Sequence, residues 1–253
     1  MRRKAGRSLP GNRRIKRSNF MLGIKQFRYG ADNFAYLLYG KKKAVAIDGG
    51  AGEEIISFLN RHGLTLCVVT NTHGHFDHTQ GNSYLLKATK AQLLDYADLT
   101  DNKEIDIEGE TIFVYRTPGH TDDSVCFHTG RTLISGDTLF NGTIGNCFSG
   151  NLKNFYSSIQ RLMSLPDETI VYAGHDYVTA SLAFARFVEP ANRDIERFGN
   201  SYDSGNVYST MADERRINPY LRFNEGPVLK VLKDRGLPCA TAWERWESLM
   251  SIE

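Results

Sequence analysis

Hydrophobic and polar residues alternate in two stretches near the start of the chain, at Gly23–Tyr29 and Asn33–Tyr39. A period of two predicts β-strands, because successive side chains on a strand point to opposite faces of the sheet. A short apolar run at 44–47 predicts a third strand. The sequences Gly-Ala-Asp at 30–32 and Gly-Lys-Lys at 40–42 predict the turns between the strands. The N-terminal part of the chain is therefore expected to form three consecutive strands.

The apolar spacing changes to that of an amphipathic helix at 53–62, and Gly63 supplies the signal for the end of that helix. Further strands are predicted at 66–69, 111–116, 124–128, 132–135 and 169–173, and further helices at 80–88 and 155–165. From about residue 178 the strand signals stop and helical signals continue to the end. This order predicts an α/β domain at 21–177 followed by a helical domain at 178–253.

The composition is that of an ordinary globular protein, with 41% apolar and 24% charged residues in a chain of 253. The sequence has no apolar run of the length that a membrane-spanning helix needs, and no membrane partner is expected. The four cysteines, Cys67, Cys126, Cys147 and Cys239, are scattered and form no C-x-x-C pair. They are interpreted as reduced packing residues of a cytoplasmic protein.

Residues 1–20 carry eight basic residues and no acidic one. Because the whole chain has a net charge of +2, the remainder has 2 − 8 = −6, and nucleic acid is not an expected partner. The basic segment has three interpretations: an arm that binds nucleic acid or a membrane, a mitochondrial transit peptide, or a solvated segment without function. Met21, where the regular pattern begins, is a candidate for the true start of translation.

One short segment, residues 72–78, concentrates side chains that bind metals: His73, His75, Asp77 and His78. A single histidine is more often structural than a ligand, but four nitrogen and carboxylate donors within six residues cannot all serve a packed core. Such donors suit a borderline divalent cation, with zinc as the first choice and iron or manganese as alternatives.

Three further side chains of the same kind lie in turns that follow predicted strands. His120 lies in a turn fixed by proline and glycine, while Asp137 and His175 each come directly after the end of a strand. Reactive groups are commonly placed at such strand ends in α/β proteins. The ordered series H-x-H-x-D-H, H, D, H is far more specific than any of its members.

This series resembles that of the metallo-β-lactamase superfamily, whose fold is an αββα sandwich with the metals at one edge. The resemblance implies two divalent metal ions. It implies that the first ion is bound by His73, His75 and His120, and the second by Asp77, His78 and His175. Asp137 would bridge the two ions, and Asp77 and Asp137 are the carboxylates assigned to catalysis. Asp48, which follows a predicted strand, could brace the ligand loop or serve only as a turn residue.

Two cations about 3.5–4 Å apart can hold a bridging water and lower its pKa toward neutrality. The resulting hydroxide is expected to attack an acyl carbonyl while the metals stabilise the oxyanion and the leaving group. A thiol has a pKa of about 8.5, so a thiolate leaves easily near neutral pH without a strong general acid. This chemistry fits a thioester and does not demand one.

From Met21 to about Phe223 the chain is similar to the glyoxalase II family. The matching stretches are GDTLF at 136–140, GHDY at 174–177, FARFVEP at 184–190, STMADE at 209–214 and NPYLR at 218–222. The last two belong to the helical substrate-binding domain of that family. The resemblance implies hydrolysis of S-D-lactoylglutathione to D-lactate and glutathione, which is a step of methylglyoxal detoxification, by a monomer or weak dimer.

The resemblance assigns substrate contacts to Asn146, Phe148, Tyr177 and Arg245. Asn146 stands where the family usually has a basic residue, and Phe148 lacks the hydroxyl of its usual counterpart. Glu244 and Glu247, on either side of Arg245, align with basic residues that bind the glycine carboxylate of glutathione. An acidic pair would repel that carboxylate and favour a capped or cationic thiol carrier. Alternatively, the two glutamates form a solvated helix face.

Two other functions remain open at this stage. The first is a lactonase or another carboxylic ester hydrolase that uses the same metal site. The second is a binding module that has kept the fold and lost the chemistry. The intact set of seven ligands argues against the binding module, and the helical stretch from 209 to 222 argues against the lactonase.

Overall fold

The computed structural model describes residues 21–252. The interpretations of residues 1–20 therefore concern a segment outside the described residues. The strands are β1 Gly23–Tyr29, β2 Asn33–Tyr39, β3 Lys43–Ile47, β4 Thr65–Thr70, β5 Gln92–Leu93, β6 Glu104–Ile107, β7 Glu110–Arg116, β8 Val125–Thr129, β9 Thr132–Gly136, β10 Ile170–Ala173 and β11 Ser209–Thr210. The helices are α1 Gly52–His62, α2 Phe76–Thr79, α3 Asn82–Ala88, α4 Leu152–Met163, α5 Val178–Val188, α6 Arg193–Ser201, α7 Met211–Ile217, α8 Gly226–Asp234 and α9 Ala242–Met250.

The strands form two sheets, with the orders β1-β2-β3-β4-β5 and β11-β10-β9-β8-β7-β6. The first three strands are present as the sequence predicts, and they pair as an antiparallel meander. The pairs β3–β4 and β9–β10 are parallel, and the connections between their strands carry α1 and α4. Because parallel strands end at the same edge of a sheet, these crossovers bring the segments after β4, β9 and β10 to one side of the molecule.

Alternation along β2 shows why the sheets form a sandwich. Phe34, Tyr36 and Leu38 point into the core between the two sheets, where they meet residues of β3, β7, β8 and β9. Ala35 and Leu37 point the other way and pack beneath α1 and α3. Both faces of the strand are therefore buried.

The outer face of the second sheet is covered in the same manner by helices. Leu133 of this sheet packs with Phe155 of α4, Val228 of α8 and Trp246 of α9. Helices thus lie outside both sheets, which gives the αββα sandwich that the family resemblance implies. Among residues 21–252, none of the helices combines the length and the apolar character that crossing a membrane requires.

Most predicted elements are present, and the differences are short strands and the four-residue helix α2. The prediction missed β5 and β6, and it placed only helices after residue 178, where β11 in fact pairs antiparallel with β10. A two-residue strand such as β5 or β11 is too short to show alternation in the sequence. It can be recognised only from its hydrogen bonds to the neighbouring strand in the structure. In β6 the alternation is present, with Ile105 and Ile107 buried, but it covers only four residues.

The C-terminal helices are tied together by a bidentate ion pair. The Arg222 guanidinium donates to both carboxylate oxygens of Glu189, at 2.6 Å from Nε and 3.0 Å from the second nitrogen. Glu189 is buried and follows α5, whereas Arg222 follows α7. The two sequence stretches 184–190 and 218–222 are therefore held in contact by the same charge-assisted hydrogen bonds.

A second buried carboxylate joins the helices to the loop after β9. Glu214 of α7 accepts hydrogen bonds from the Gly142 backbone N–H at 3.0 and 3.1 Å and from Asn218 Nδ2 at 2.7 Å. Burial raises the pKa of the Glu214 carboxyl from an ordinary 4.5 to about 7. The folded protein therefore holds this proton more tightly than the unfolded chain does.

We expect the contribution of Glu214 to stability to fall as the pH rises from about 5 to about 8, by about 2 kcal/mol. The sign follows because the pKa is raised on folding, so ionisation of the carboxyl favours the unfolded state. This change can be measured by urea unfolding of the metal-free protein at the two pH values. The same measurement on Glu214→Gln gives the pH dependence without the Glu214 carboxyl. An identical pH dependence in the variant would contradict the expectation.

Candidate metal centre and active site

The densest group of candidate ligands directly follows β4 in the chain. His73 and His75 lie in the loop after this strand, and Asp77 and His78 lie in α2, the short helix that follows. Asn71 holds the loop in place, since its Nδ2 donates to the backbone carbonyl of His78 at 2.7 Å. The side chains of this segment are thus directed to one edge of the sandwich by local hydrogen bonding.

Three histidines form a first trio, His73, His75 and His120. His75 Nδ1 lies 2.8 Å from His73 Nε2 and 3.1 Å from His120 Nε2. His73 and His120 are buried, while His75 is half-buried at the mouth of the site. Three imidazole nitrogens from two separate loops therefore converge on one point.

A second trio consists of Asp77, His78 and His175. His78 Nε2 and His175 Nε2 are 3.2 Å apart. Asp77 Oδ2 lies 3.4 Å from His175 Nε2 and 3.7 Å from His78 Nε2. The two histidine rings are buried, and the Asp77 side chain is 44% exposed, so this trio opens to solvent through its carboxylate.

Asp137 lies between the two trios. Its Oδ2 is 3.5 Å from His120 Nε2 of the first trio and 3.4 Å from His175 Nε2 of the second. Its Oδ1 is 3.5 Å from His78 Nε2 and, although buried, accepts no hydrogen bond from any described residue. A buried carboxylate oxygen without a donor needs a cation. The position is that of a carboxylate shared by two ions.

The seven side chains fit two divalent cations. The ring nitrogens of each trio face one another at hydrogen-bond distance, and neutral imidazoles in that arrangement cannot all supply the proton that each contact requires. The candidate ligand atoms lie within 4.8 Å of one another in each of three overlapping groups. Nitrogen and carboxylate donors with this convergence are typical of sites for zinc and other first-row cations.

Asp48 braces the ligand loop, which is one of the two roles considered from the sequence. Its buried carboxylate accepts hydrogen bonds from the backbone N–H and the hydroxyl of Thr72, both at 2.8 Å. Its Oδ2 lies 3.1 Å from His78 Nδ1. Asp48 therefore orients His78, so that the Nε2 of this ring is directed at the cation site.

The other buried rings are oriented through their Nδ1 atoms in the same manner. His120 Nδ1 lies 2.9 Å from the backbone carbonyl of Asn146, and His175 Nδ1 lies 2.9 Å from Asp32 Oδ1. The side chain of Asn33 donates to Asp77 Oδ2 at 2.9 Å. Asp32 and Asn33 were not predicted as supporting residues, because Asp32 lies in a turn, Asn33 begins a strand, and neither belongs to a ligand motif.

Burial and neighbouring charges shift the pKa values of the histidines in opposite directions. Burial and the nearby His78 lower the pKa of His73 to about 2. Burial also opposes protonation of His78, but the Asp48 and Asp137 carboxylates outweigh it and raise the pKa of this ring well above its usual range. Asp137 is buried too, yet its contacts with His175 and His78 hold its pKa well below the ordinary value. The centre therefore contains a permanent anion that attracts positive charge.

Aromatic rings surround the opening of the site. Phe148 is 66% exposed, and its ring centroid lies 5.8 Å from that of His75 and 5.2 Å from that of His120. Tyr177 is 37% exposed and stacks on His175 at 5.0 Å. The family resemblance assigned both residues to substrate contact, and both touch candidate ligands. Asn146 contributes its carbonyl to His120, while its side chain is exposed.

The last helix uses its charged residues to stabilise its own end. Arg245 donates to the carbonyl oxygens of Cys239 and Ala240 and to Asn224 Oδ1. Glu244 Oε2 accepts from the Thr241 backbone N–H at 2.8 Å, which completes a capping box. Glu247 is exposed. For Glu244, a local structural role accounts for the acidic residue without a ligand.

Two family models together match nearly all of the described chain. The model of the metallo-β-lactamase superfamily matches residues 29–96 and 91–175, and the model of the hydroxyacylglutathione hydrolase C-terminus matches residues 176–249. The first match contains all seven candidate ligands. The second begins directly after His175 and covers the helices from α5 to α9 except the last residue of α9.

Individual proteins are similar over most of their length. A hydroxyacylglutathione hydrolase of Chromohalobacter salexigens is 35% identical over 226 residues, which cover 81% of this chain and 88% of that protein. Hydroxyacylglutathione hydrolase 1 of Vibrio vulnificus is 34% identical over 213 residues, which cover 79% and 86%. Among solved structures, ETHE1 from Myxococcus xanthus superposes with a TM-score of 0.64 at 24% identity, covering 89% of this chain and 98% of that one.

Proposed function

The chain belongs to the hydroxyacylglutathione hydrolase family of the metallo-β-lactamase superfamily, and from this premise we propose that it hydrolyses S-D-lactoylglutathione to the hydroxy acid and the free thiol. The protein is a metal-dependent thioester hydrolase. The observation that carries the proposal is the position of Asp137, whose two carboxylate oxygens face both trios of candidate ligands.

Two divalent cations bound here would supply Lewis acidity to the thioester carbonyl and would lower the pKa of a water between them. The donor set of five imidazoles and two carboxylates favours zinc, with iron or manganese as alternatives. The residues of the chain hold the reacting groups. Asp77, which is partly exposed, and the buried Asp137 offer carboxylate oxygens to the cations, and the buried rings of His78 and His175 close the other side of the site.

The mouth of the site suits a thioester. Phe148 and Tyr177 form two apolar walls that can pack against the acyl and sulfur atoms. The leaving thiolate is stable near neutral pH, and no side chain is needed to protonate it. We assign Asn146 to the polar part of the thiol carrier. Arg245 uses three of its five N–H groups within the C-terminal helices, and the other two could bind a carboxylate.

Steady-state hydrolysis of S-D-lactoylglutathione, followed at the ultraviolet absorption of the thioester, tests the proposal. We expect turnover by the zinc-loaded protein, loss of turnover after chelation, and recovery when zinc is returned. His75→Ala, which removes one ligand of the first trio, should abolish turnover. Negligible hydrolysis by protein that contains two bound ions would contradict the substrate, and preferential hydrolysis of a lactone would favour the alternative ester hydrolase.

A further inference from the structure

The turn between β1 and β2 reaches from the first sheet to the edge of the second. The Phe34 N–H donates to the Gly174 carbonyl at 2.8 Å, and the Asp176 N–H donates to the Asp32 carbonyl at 2.8 Å. Between these two bonds, Asn33 pairs with His175 as an isolated antiparallel bridge. The backbone of the hairpin is therefore fastened on both sides of one candidate metal ligand.

The side chains of the same turn bind two members of the second trio. Asp32 Oδ1 lies 2.9 Å from His175 Nδ1, and Asn33 Nδ2 donates to Asp77 Oδ2 at 2.9 Å. Asn33 is buried. Neither residue has a hydrogen bond to the first trio among the contacts of the described chain.

We propose that Asp32 and Asn33 are positioning residues for the second cation, and that they act on this ion without supporting the first. The inference rests on the dinuclear centre of the proposed function, and it does not depend on which thioester is the substrate. Neither residue would touch the substrate or a metal.

The carboxylate of Asp32 fixes the tautomer and the orientation of the His175 ring. A carboxylate at Nδ1 keeps the proton on that nitrogen and leaves the lone pair of Nε2 directed at the second trio. It also increases the basicity of the ring, which strengthens the bond to a cation. Without it, the ring could adopt the other tautomer, in which Nε2 carries the proton and cannot bind a metal.

Asn33 has a different role, which is to restrict the side-chain conformation of Asp77. The Asp77 side chain is 44% exposed and would otherwise sample several rotamers. The amide of Asn33 holds Oδ2 of this carboxylate within 3.4 Å of His175 Nε2. The hairpin therefore sets the direction of both His175 and Asp77 from one rigid turn.

The two trios differ in the charge of their supporting groups. In the first trio, His73 Nδ1 contacts the Thr72 hydroxyl at 3.1 Å and His120 Nδ1 contacts a backbone carbonyl at 2.9 Å, and both partners are neutral. In the second trio, both histidines contact a carboxylate, from Asp48 or Asp32. A change at Asp32 should therefore affect one cation and leave the other unchanged.

Zinc titration in competition with a chromophoric chelator measures this selectivity without any thioester. The wild type should bind two equivalents. Asp32→Ala should bind one equivalent as the wild type does and the other about 10- to 100-fold more weakly. The weakened equivalent should be the one that His175→Ala abolishes. Ala31→Ser, an exposed change in the same turn, is the matched control and should bind as the wild type does.

Proton NMR of the Co²⁺-loaded protein gives a second readout that a general loss of stability would not produce. The paramagnetically shifted Nδ1–H signal of His175 should be present in the wild type and in Asp32→Asn, whose amide oxygen still accepts the proton. It should be lost by solvent exchange in Asp32→Ala. Equal weakening of both zinc equivalents, no weakening at all, or an unchanged signal in Asp32→Ala would overturn the proposal.

The two proposals fail in distinguishable ways. Protein that binds two zinc ions, loses one selectively in Asp32→Ala and does not hydrolyse S-D-lactoylglutathione would contradict the substrate while supporting the role of the hairpin. Protein that hydrolyses the thioester, with both ions equally insensitive to Asp32, would contradict the role of the hairpin alone.

Discussion

Replacing Asp137 by asparagine is expected to lower kcat/KM for the thioester about 1,000-fold. The side chain keeps its size, but one oxygen becomes an NH₂ group that cannot bind a cation. Because the oxygens of Asp137 face the histidines of both trios at 3.4–3.5 Å, this single change weakens both cation sites. The loss corresponds to about 4 kcal/mol of transition-state stabilisation. Steady-state kinetics with zinc in excess would measure it.

Asp122→Asn is the matched control for that variant. Asp122 is an exposed aspartate two residues after His120, so the same chemical change is made close to the site without touching a candidate ligand. We expect the control to retain the wild-type kcat/KM. Metal analysis should find less zinc in Asp137→Asn than in the control. Full metal content together with nearly unchanged activity in Asp137→Asn would show that this carboxylate is not shared by two ions.

Removal of the Asp48 carboxylate is expected to have the largest effect on stability. Asp48→Ala should lower the free energy of unfolding of the metal-free protein by about 3 kcal/mol, because the Thr72 N–H, the Thr72 hydroxyl and His78 Nδ1 all lose a buried partner. The backbone adds to the cost, since Asp48 has a φ of 56° and alanine tolerates that region poorly. Urea unfolding would measure the difference.

Asp48→Asn separates the metal site from the fold. Asparagine tolerates a positive φ and retains one oxygen for Thr72, so the stability loss should be smaller than that of the alanine variant. Its NH₂ group would face His78 Nδ1 and favour the tautomer with the proton on Nε2, the nitrogen needed by the cation. We expect zinc affinity to fall while most of the stability is kept. A parallel loss of both in the two variants would contradict this role for Asp48.

The clustering of the seven candidate ligands was predictable because its signal is local. His73, His75, Asp77 and His78 stand within one short segment, and each remaining ligand comes directly after a strand or a Pro-Gly turn. The parallel pairs β3–β4 and β9–β10 then bring those strand ends to the same edge. Alternation and ligand spacing together therefore contained the site, down to the seven residues that the structure places side by side.

Apart from the brace that Asp48 provides, the supporting contacts were not predictable, because they depend on how the two sheets dock. Asp32 appeared only as part of a turn, and its contact with His175 spans more than a hundred residues of sequence. The function of Glu244 was hidden for the opposite reason. Its carboxylate accepts a hydrogen bond from the backbone N–H of a residue three positions earlier, as part of a helix cap. Comparing its charge with that of the glutathione-binding residues of the family gave no indication of this role.

The candidate ligands come from both layers of the sandwich, and we expect this arrangement to affect the lifetime of the protein. The ligand segment 72–78 follows β4 of the first sheet, whereas Asp137 and His175 follow strands of the second sheet. A cation bound between them would link the two sheets, and the complete binding site exists only when both sheets are packed together. Bound at a hundred times its dissociation constant, one ion adds about 2.7 kcal/mol to the folded state. Metal scarcity would therefore shorten the survival of the chain against proteolysis as well as stop its chemistry.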